Sequence, residues 1–336
     1  MKPVNPKHKQ QGVALITALL IAALVTVAAV AMASRQQLDI RRTGNMLEAD
    51  QAYMYALAAE AWATQMLKQD KKETQIDTLT EDWAIKLPPI PIEGGVITGS
   101  VEDLQGRFNL NNLIDTSSGG NSDNGNSDNG NGKNNKPDQV QIKILQSLLE
   151  QVSFIDEKVE LSPFIANRVA DWVDANLNAL ADGAEDLLYL GLDIPYRAAN
   201  RLMASPSELA AVAGLSLRDV STLLPLVAAL PVNTVINVNT APEMVLLGLH
   251  DDITPRIAAE LAAIRVNTAF ETTGEFVKKL KDDYDITLDP KLAGVSSEYF
   301  LVASDAVIGR TRLRMYSLLE RKDNGINVVS RGIGSY

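Results

Sequence analysis

Gln10-Gln11-Gly12-Val13-Ala14-Leu15-Ile16-Thr17-Ala18-Leu19-Leu20 opens an apolar run that continues to Ala33. Lys2, Lys7, His8 and Lys9 precede it, Arg35, Arg41 and Arg42 follow it, and no charge falls inside it. As a helix, a run of about twenty residues spans the hydrocarbon core of a bilayer. Whatever else the chain contains is organised by how this stretch meets the membrane.

Three readings fit the stretch. Ala31-Met32-Ala33 offers the small residues of a secretory cleavage site, but the apolar core exceeds the usual ~7–15 residues. A plain signal anchor, basic end inside, is the second. The third is a leader of type IV prepilin kind, cut after Gly12 so that the helix from Val13 is kept. The sequence beyond favours the third. From Ser34 to Lys68 there is no proline and a single glycine, Gly44, among good helix formers. Helix can therefore run unbroken over 13–68, with 13–33 in the membrane, as one rod of roughly 80 Å. A cleaved signal peptide needs no such continuity; a subunit that assembles through its N-terminal helix does.

Composition sets limits. The chain has 336 residues, a net charge of −11 and no cysteine. Disulfides and thiolate metal sites are excluded, and the acidic balance argues against binding nucleic acid or an anionic surface. Only two histidines are present, His8 in the leader and His250 far downstream. Gly-x-Ser-x-Gly and phosphate-loop patterns are absent, so nothing assembles into an enzyme.

Beyond the helix the chain changes character several times. Residues 69–116 read as the first part of a β domain. Leu87-Pro88-Pro89-Ile90-Pro91 cannot lie inside a helix or a central strand. Gly94-Gly95 then opens a strand to Val101, and Arg107-Phe108-Asn109-Leu110-Asn111 reads as a second one. Residues 117–137 are nearly all Gly, Asn, Asp and Ser and read as a solvated linker. The two Asp-Asn-Gly triplets at 123–125 and 128–130 are the weaker, calcium-binding alternative. Residues 138–290 read as an all-helical insertion, with capping patterns at Ser162-Pro163, Ser205 to Glu208, Ser216 to Asp219, Thr240 to Glu243 and Thr272 to Glu275. Residues 291–336 return to strands: Tyr299 to Val302, the alternation from Arg310 to Ser317, and a hairpin signal at Asp323-Asn324-Gly325. The economical arrangement is an α+β fold, one antiparallel sheet split by the helical insertion.

Two motifs carry candidate chemistry. Asp174-x-Asn176-x-Asn178, with Asp182 and Glu185, places oxygen donors at positions 1, 3, 5, 9 and 12 of an EF-hand-like loop, and Asp186 adds a carboxylate. Position 6, where that loop needs glycine, holds Ala179. The competing reading is a polar interhelical loop whose acids cap helices. The stretch 236–281 resembles helix-hairpin-helix modules of DNA-uptake proteins, so a signal-anchored adaptor or DNA-uptake component is the rival function. Its hairpin, Leu249-His250-Asp251-Asp252-Ile253-Thr254, has two carboxylates and no glycine pair to open amides to phosphate.

Taken together, Gly12 to Leu20, Gly106-Arg107-Phe108-Asn109-Leu110-Asn111-Asn112-Leu113, Asp171-Trp172-Val173-Asp174 through Gly183-Ala184-Glu185-Asp186, and Ile236 to Pro242 resemble the K-type minor pseudopilins of type II secretion (general secretion pathway protein K). The resemblance covers nearly the whole chain apart from 117–137. It implies a pilin-like fold with a large helical insertion and a non-enzymatic role. It implies cleavage and methylation by the prepilin peptidase at Gly12 and Val13. It implies an inner-membrane anchor next to the secretion platform, with the C-terminal domain in the periplasm. It implies a pseudopilus-tip complex with the I, J and H types that starts the pseudopilus and supports export of folded proteins. The family's acidic loop binds calcium, which carries over to Asp174, Asn176, Asn178, Glu185 and Asp186; Asn176 stands where aspartate is usual. At the fifth mature position most pilin-like subunits carry a glutamate, which pairs with a neighbour's terminal amine. Here it is Thr17, which marks a subunit with no neighbour above it.

Overall fold

The computed structural model describes residues 13–86, 88–115, 136–155 and 161–334. Gly12, the rest of the leader and most of the linker lie outside the described residues. Helix α1 runs over Val13–Glu73, five residues beyond the expected end at Lys68. Its first half projects from the folded domain. Its second half buries Ala52, Ala56, Glu60, Ala63 and Leu67 against a sheet. Three of these are alanines, whose small side chains let the helix lie close to the strands.

The sheet has five antiparallel strands in the order β1 (Ile90–Ile92), β2 (Gly95–Asp103), β3 (Tyr299–Ile308), β4 (Thr311–Lys322) and β5 (Gly325–Ile333). β2 and β3 pair from Gly95 with Ile308 to Asp103 with Phe300. Strands from the two ends of the chain therefore share one sheet, and the helical region is inserted between them. Leu67, Trp83, Val101, Phe300, Val302 and Leu319 form the core under α1, with Trp83 edge-on to Phe300 at 5.3 Å. On β5 a bulge opposite Leu318 and Leu319 leaves Val329 unpaired. That extra residue shifts the parity, so Val328 packs on this core and Arg331 also reaches α1.

The inserted region contains α2 (Gln139–Ile155), α3 (Ile165–Val173), α4 (Asp186–Leu190), α5 (Leu217–Leu223), α6 (Glu243–Gly248), α7 (Pro255–Asn267) and α8 (Thr273–Tyr284) around its own core. It is not all-helical as expected. Two-residue strands pair Phe108–Asn109 with Val227–Ala228, Ile114–Asp115 with Lys136–Pro137, and Ile236–Asn237 with Ala293–Gly294. Much of 174–216 is irregular.

The expected second strand at 107–111 is corrected in the same way. Phe108, Leu110, Leu113 and Ile114 belong to the core of the inserted region, not to the sheet. The cause is the amide side chains between them. Asn109 donates to Pro231 O at 2.8 Å and accepts from Leu230 N at 2.9 Å. Asn111 holds Met203 through both its carbonyl and amide ends, and Asn112 donates to Thr234 O at 2.7 Å. These side chains grip the backbone at 203 and 230–234, and Asn109 Oδ1 also accepts from Asn111 N, so the segment is anchored in the inserted region and not in the sheet.

Of the expected caps, Ser216 and Asp219 form the reciprocal box. Ser162-Pro163 does not start α3; the helix begins at Ile165 behind Phe164. Thr240 does not cap α6 either. Its hydroxyl donates to Asp103 Oδ2 at 2.6 Å, because a buried carboxylate at the end of β2 has the stronger claim on a donor. The same carboxylate accepts from Asn237 Nδ2 at 3.0 Å, Ser297 Oγ at 2.6 Å and Gln105 N at 2.8 Å. This buried knot ties the sheet to the inserted region. A Cβ at Gly106 would lie 2.9 Å from Thr240 Oγ1, so the chain there must be glycine.

Candidate metal centre

α3 is amphipathic; Asp171 in its last turn and Asp174 at its C-cap stand three residues apart, on one side of the helix end. Both are fully buried. The following loop turns back over them. Leu180 N and Ala184 N donate to Asp171 at 3.1 and 2.7 Å. A side chain at Gly183 would overlap Asp171 Oδ2, so this approach depends on glycine. Asp182 supplies the turn with a φ of 56°. The returning chain places Glu185 at the start of α4, where its side chain makes no cap bond.

One carboxylate oxygen from each of Asp171, Asp174 and Glu185 lies within 4.8 Å of the others. Glu185 is only 7 % exposed, yet neither of its oxygens has a hydrogen-bond partner. Asn200 stands beside it with a buried, unpartnered Oδ1. Among the described residues no lysine, arginine or histidine pairs with any of the three acids.

The electrostatics follow. Burial pushes Asp174 up to about 6; the hydrogen bonds from Asn176 oppose the rise and the Asp171 charge adds to it. Burial, then the Asp174 and Asp171 charges, pushes Glu185 up to about 7. Asp171 is raised by burial as well, against its two backbone donors. Three converging anions without a cation are costly in a low-dielectric site. Orphaned acceptor oxygens, with no nitrogen or sulfur donor beside them, fit a hard cation that takes oxygen ligands.

Of the sequence-predicted ligands, Asp174 and Glu185 are in this group. Asn176 turns its Nδ2 to Asp174 Oδ2 at 2.8 Å, and its Oδ1 accepts from Asn178 N at 2.7 Å. Asn178 itself is exposed. Asp186 faces elsewhere: it accepts from Ala198 N at 3.0 Å and stands 3.9 Å from Arg197. Asp171 was not among the predicted ligands, although its three-residue spacing from Asp174 on a helix was the available signal.

A second acidic group, Asp70, Asp77 and Glu81, is satisfied internally. Arg321 bridges Asp70, at 2.7 Å, and Asp77, while Trp83 Nε1 donates to Glu81 at 2.6 Å. The hairpin between α6 and α7 presents exposed Asp251 and Asp252, and His250 Nδ1 accepts from Asp252 N at 3.2 Å. At the other end of the molecule, Val13–Glu73 is long and apolar enough to cross a membrane, and its apolar window is unburied. Thr17 Oγ1 sits on that span and back-bonds to Val13 O and Ala14 O at 3.1 and 3.0 Å.

Comparison with known proteins agrees with this anatomy. Two family descriptions of "Type II secretion system (T2SS), protein K" match residues 106–232 and 236–283. The type II secretion system protein K of Pseudomonas aeruginosa is 37% identical, with 98% of this chain and 94% of that protein aligned. That of Aeromonas hydrophila is 35% identical over 96% of this chain and 97% of its own. Among solved structures, the GspK-GspI-GspJ complex of enterotoxigenic Escherichia coli contains a chain with the same fold. Its TM-score is 0.69 at 24% identity, over 88% of this chain and 100% of that one. With relatives this similar over nearly full length, the chain belongs to the type II secretion system protein K family.

Proposed function

We propose that this chain works as a non-enzymatic K-type minor pseudopilin at the tip of the type II secretion pseudopilus. It joins the I and J types, and the H type, in the complex that starts the pseudopilus and supports export of folded proteins. The observation that carries this reading is α1. One continuous helix has an uncovered apolar half and a half packed on a sheet, as a subunit needs if it is to be held by its helix and act through its head. The solved relative stands in a complex with GspI and GspJ, which supports those two partners here.

In this reading the prepilin peptidase cuts after Gly12 and methylates Val13, close to the inner-membrane platform. Residues 13–33 stay in the inner membrane and the head lies in the periplasm. The inserted region makes the head too bulky to stack along a filament, and Thr17 lacks the charge that would pair with a neighbour's amine. Both favour the tip.

Asp171, Asp174 and Glu185, with Asn176 and Asn200 beside them, would hold calcium. Bound there, the cation would supply the positive charge that the three buried carboxylates lack. The chain's part is to bring α3 and α4 together with those oxygens pointing inward. The predicted ligands Asn178 and Asp186 keep their own partners and enter only if the loop rearranges.

The test is co-production of the full chain with its I and J types, followed by detergent extraction and purification through this chain alone. A stable complex containing both is expected. Recovery of this chain alone would overturn the reading.

A further inference from the structure

Between the membrane span and the head, α1 is a stalk. The apolar run ends at Ala33, and the helix is tied to the head from Glu48 on, which accepts from Arg310 N at 3.2 Å and Thr311 Oγ1 at 3.1 Å. The stretch between them, 34–47, is roughly 20 Å of helix. It carries Arg35, Arg41 and Arg42 against a single acid, Asp39, in a chain whose net charge is −11. All four side chains are exposed. Asp39 stands 4.0 Å from Arg42 in open water, where such a contact holds little. Arg35 and Arg41 have no acidic partner among the described residues. At about 100° per residue, Arg35 and Arg42 lie on one side of the helix two turns apart, and Arg41 points to another side.

We propose that these three arginines form a collar that binds the phosphate groups of anionic phospholipids in the outer leaflet of the inner membrane, and so holds the chain at a fixed depth. The inference rests on the functional reading above for the orientation of the helix, and it adds a lipid ligand and the residues that take it.

Three observations select this occupant. The first is height. Arg35 lies roughly 3 Å above Ala33 along the axis, and Arg41 and Arg42 roughly 12–14 Å. The headgroup layer occupies about 5–8 Å on each side of the hydrocarbon core. The second is direction. Side chains on a helix lean toward its N-terminus, which here is the membrane side. Arg41 and Arg42 therefore reach down toward the headgroups, and a guanidinium matches phosphate oxygens with two parallel donors. The third is the charge balance across the span. Basic residues beside a span normally gather on its inner side. In the uncut chain Lys2, Lys7 and Lys9 lie there. Once the chain is cut after Gly12, no charged side chain remains on that side, and the arginines are the only basic residues flanking the span. Their place on the outer side is accounted for by an anion there, and lipid phosphate is the anion present at that height all round the rod.

The test uses the full chain from washed membranes. A carbonate wash comes first: a chain that washes off does not span the membrane, and the functional reading fails. A chain that stays is extracted in a mild non-ionic detergent and offered equal amounts of phosphatidylglycerol and phosphatidylcholine. Native mass spectrometry counts the lipid retained. Phosphatidylglycerol should be retained at least about tenfold over phosphatidylcholine, and R35Q/R41Q/R42Q should bring the two within about twofold. The unfolding midpoint of the head should not change, because all three positions lie below it. Equal retention of the two lipids by the unaltered chain, or an unchanged preference in R35Q/R41Q/R42Q, would overturn the collar and leave the functional reading standing. Millimolar inorganic phosphate should leave the retained phosphatidylglycerol in place; displacement would mean a site for a free anion and would also overturn the proposal. Co-purification with the I and J types is read in parallel. If R35Q/R41Q/R42Q loses those partners but keeps its lipid preference, the arginines serve a protein contact and the proposal is wrong.

Discussion

Arg331, on the last strand, grips Glu60 of α1 with a two-pronged ion pair, Nε to Oε2 at 2.7 Å and Nη2 to Oε1 at 2.8 Å. Ser317 Oγ donates to the same carboxylate. Glu60 is buried by the helix–sheet contact, so this fork fixes the rotation of α1 on the sheet. It thereby fixes which face of the helix is left bare.

The fork sets a pH dependence. The Arg331 hydrogen bonds hold the Glu60 carboxyl below its usual range, outweighing burial. A carboxylate whose folded pKa is lowered stabilises the fold above its unfolded value and loses that share as pH falls through the folded value. The detergent-solubilised chain should therefore lose stability from this group below about pH 4.5. R331A, which strands Glu60, should cost about 1–3 kcal/mol at neutral pH. Denaturant titration of both proteins measures this; equal midpoints would show that the fork is not structural.

Calcium should raise the unfolding midpoint of the full chain. At a hundredfold excess over the dissociation constant the gain is about 2.7 kcal/mol. For a chain of this size that is roughly 4 °C. D171N and E185Q should each remove most of the rise, and D186N should remove little, because Asp186 is held by Ala198 and Arg197. Without metal the sign reverses. Asp174 and Glu185, raised to about 6 and about 7, make the metal-free fold more stable at low pH, and that share is lost as pH rises through those values. A midpoint indifferent to calcium and chelator between pH 5 and 8 would contradict the assignment.

G183A tests the same centre sterically. The added methyl would overlap Asp171 Oδ2, so either the loop or the carboxylate must move. A loss of about 1–3 kcal/mol is expected, together with a much weaker response to calcium. Thermal unfolding with and without metal measures both. A variant that keeps the full response would show that Asp171 takes no part.

Processing is read by mass spectrometry of the mature N-terminus. A methylated start at Val13 is expected, and a bulky residue in place of Gly12 should leave the precursor uncut. A start at Ser34 would mean an ordinary signal peptide.

The long helix and the split sheet were legible in the sequence because period and composition carry them. Ser34 to Lys68 lacks breakers, and the strands from Tyr299 onward alternate with a turn signal between them. The candidate metal centre was only half legible. Asp174 and Glu185 showed through ligand-like spacing, but spacing cannot say which acids converge. Asp171 reads in sequence as an ordinary helical aspartate and becomes a member only when the loop folds back past Gly183. The knot at Asp103 was hidden for a similar reason. Thr240 has the spacing of a cap, and only the approach of β2 shows that its hydroxyl serves a distant carboxylate. Phe108 to Asn111 reads as a strand because its apolar residues alternate. The asparagines between them bind loops more than ninety residues away, which no local pattern reveals.

The most direct test of the account is export itself. In cells deleted for this chain, export of a type II substrate across the outer membrane should stop and return when the full chain is restored. A variant with 13–33 replaced by a cleavable signal peptide should reach the periplasm folded and fail to restore export. Normal export in the deletion, with the other pseudopilins present, would contradict the account.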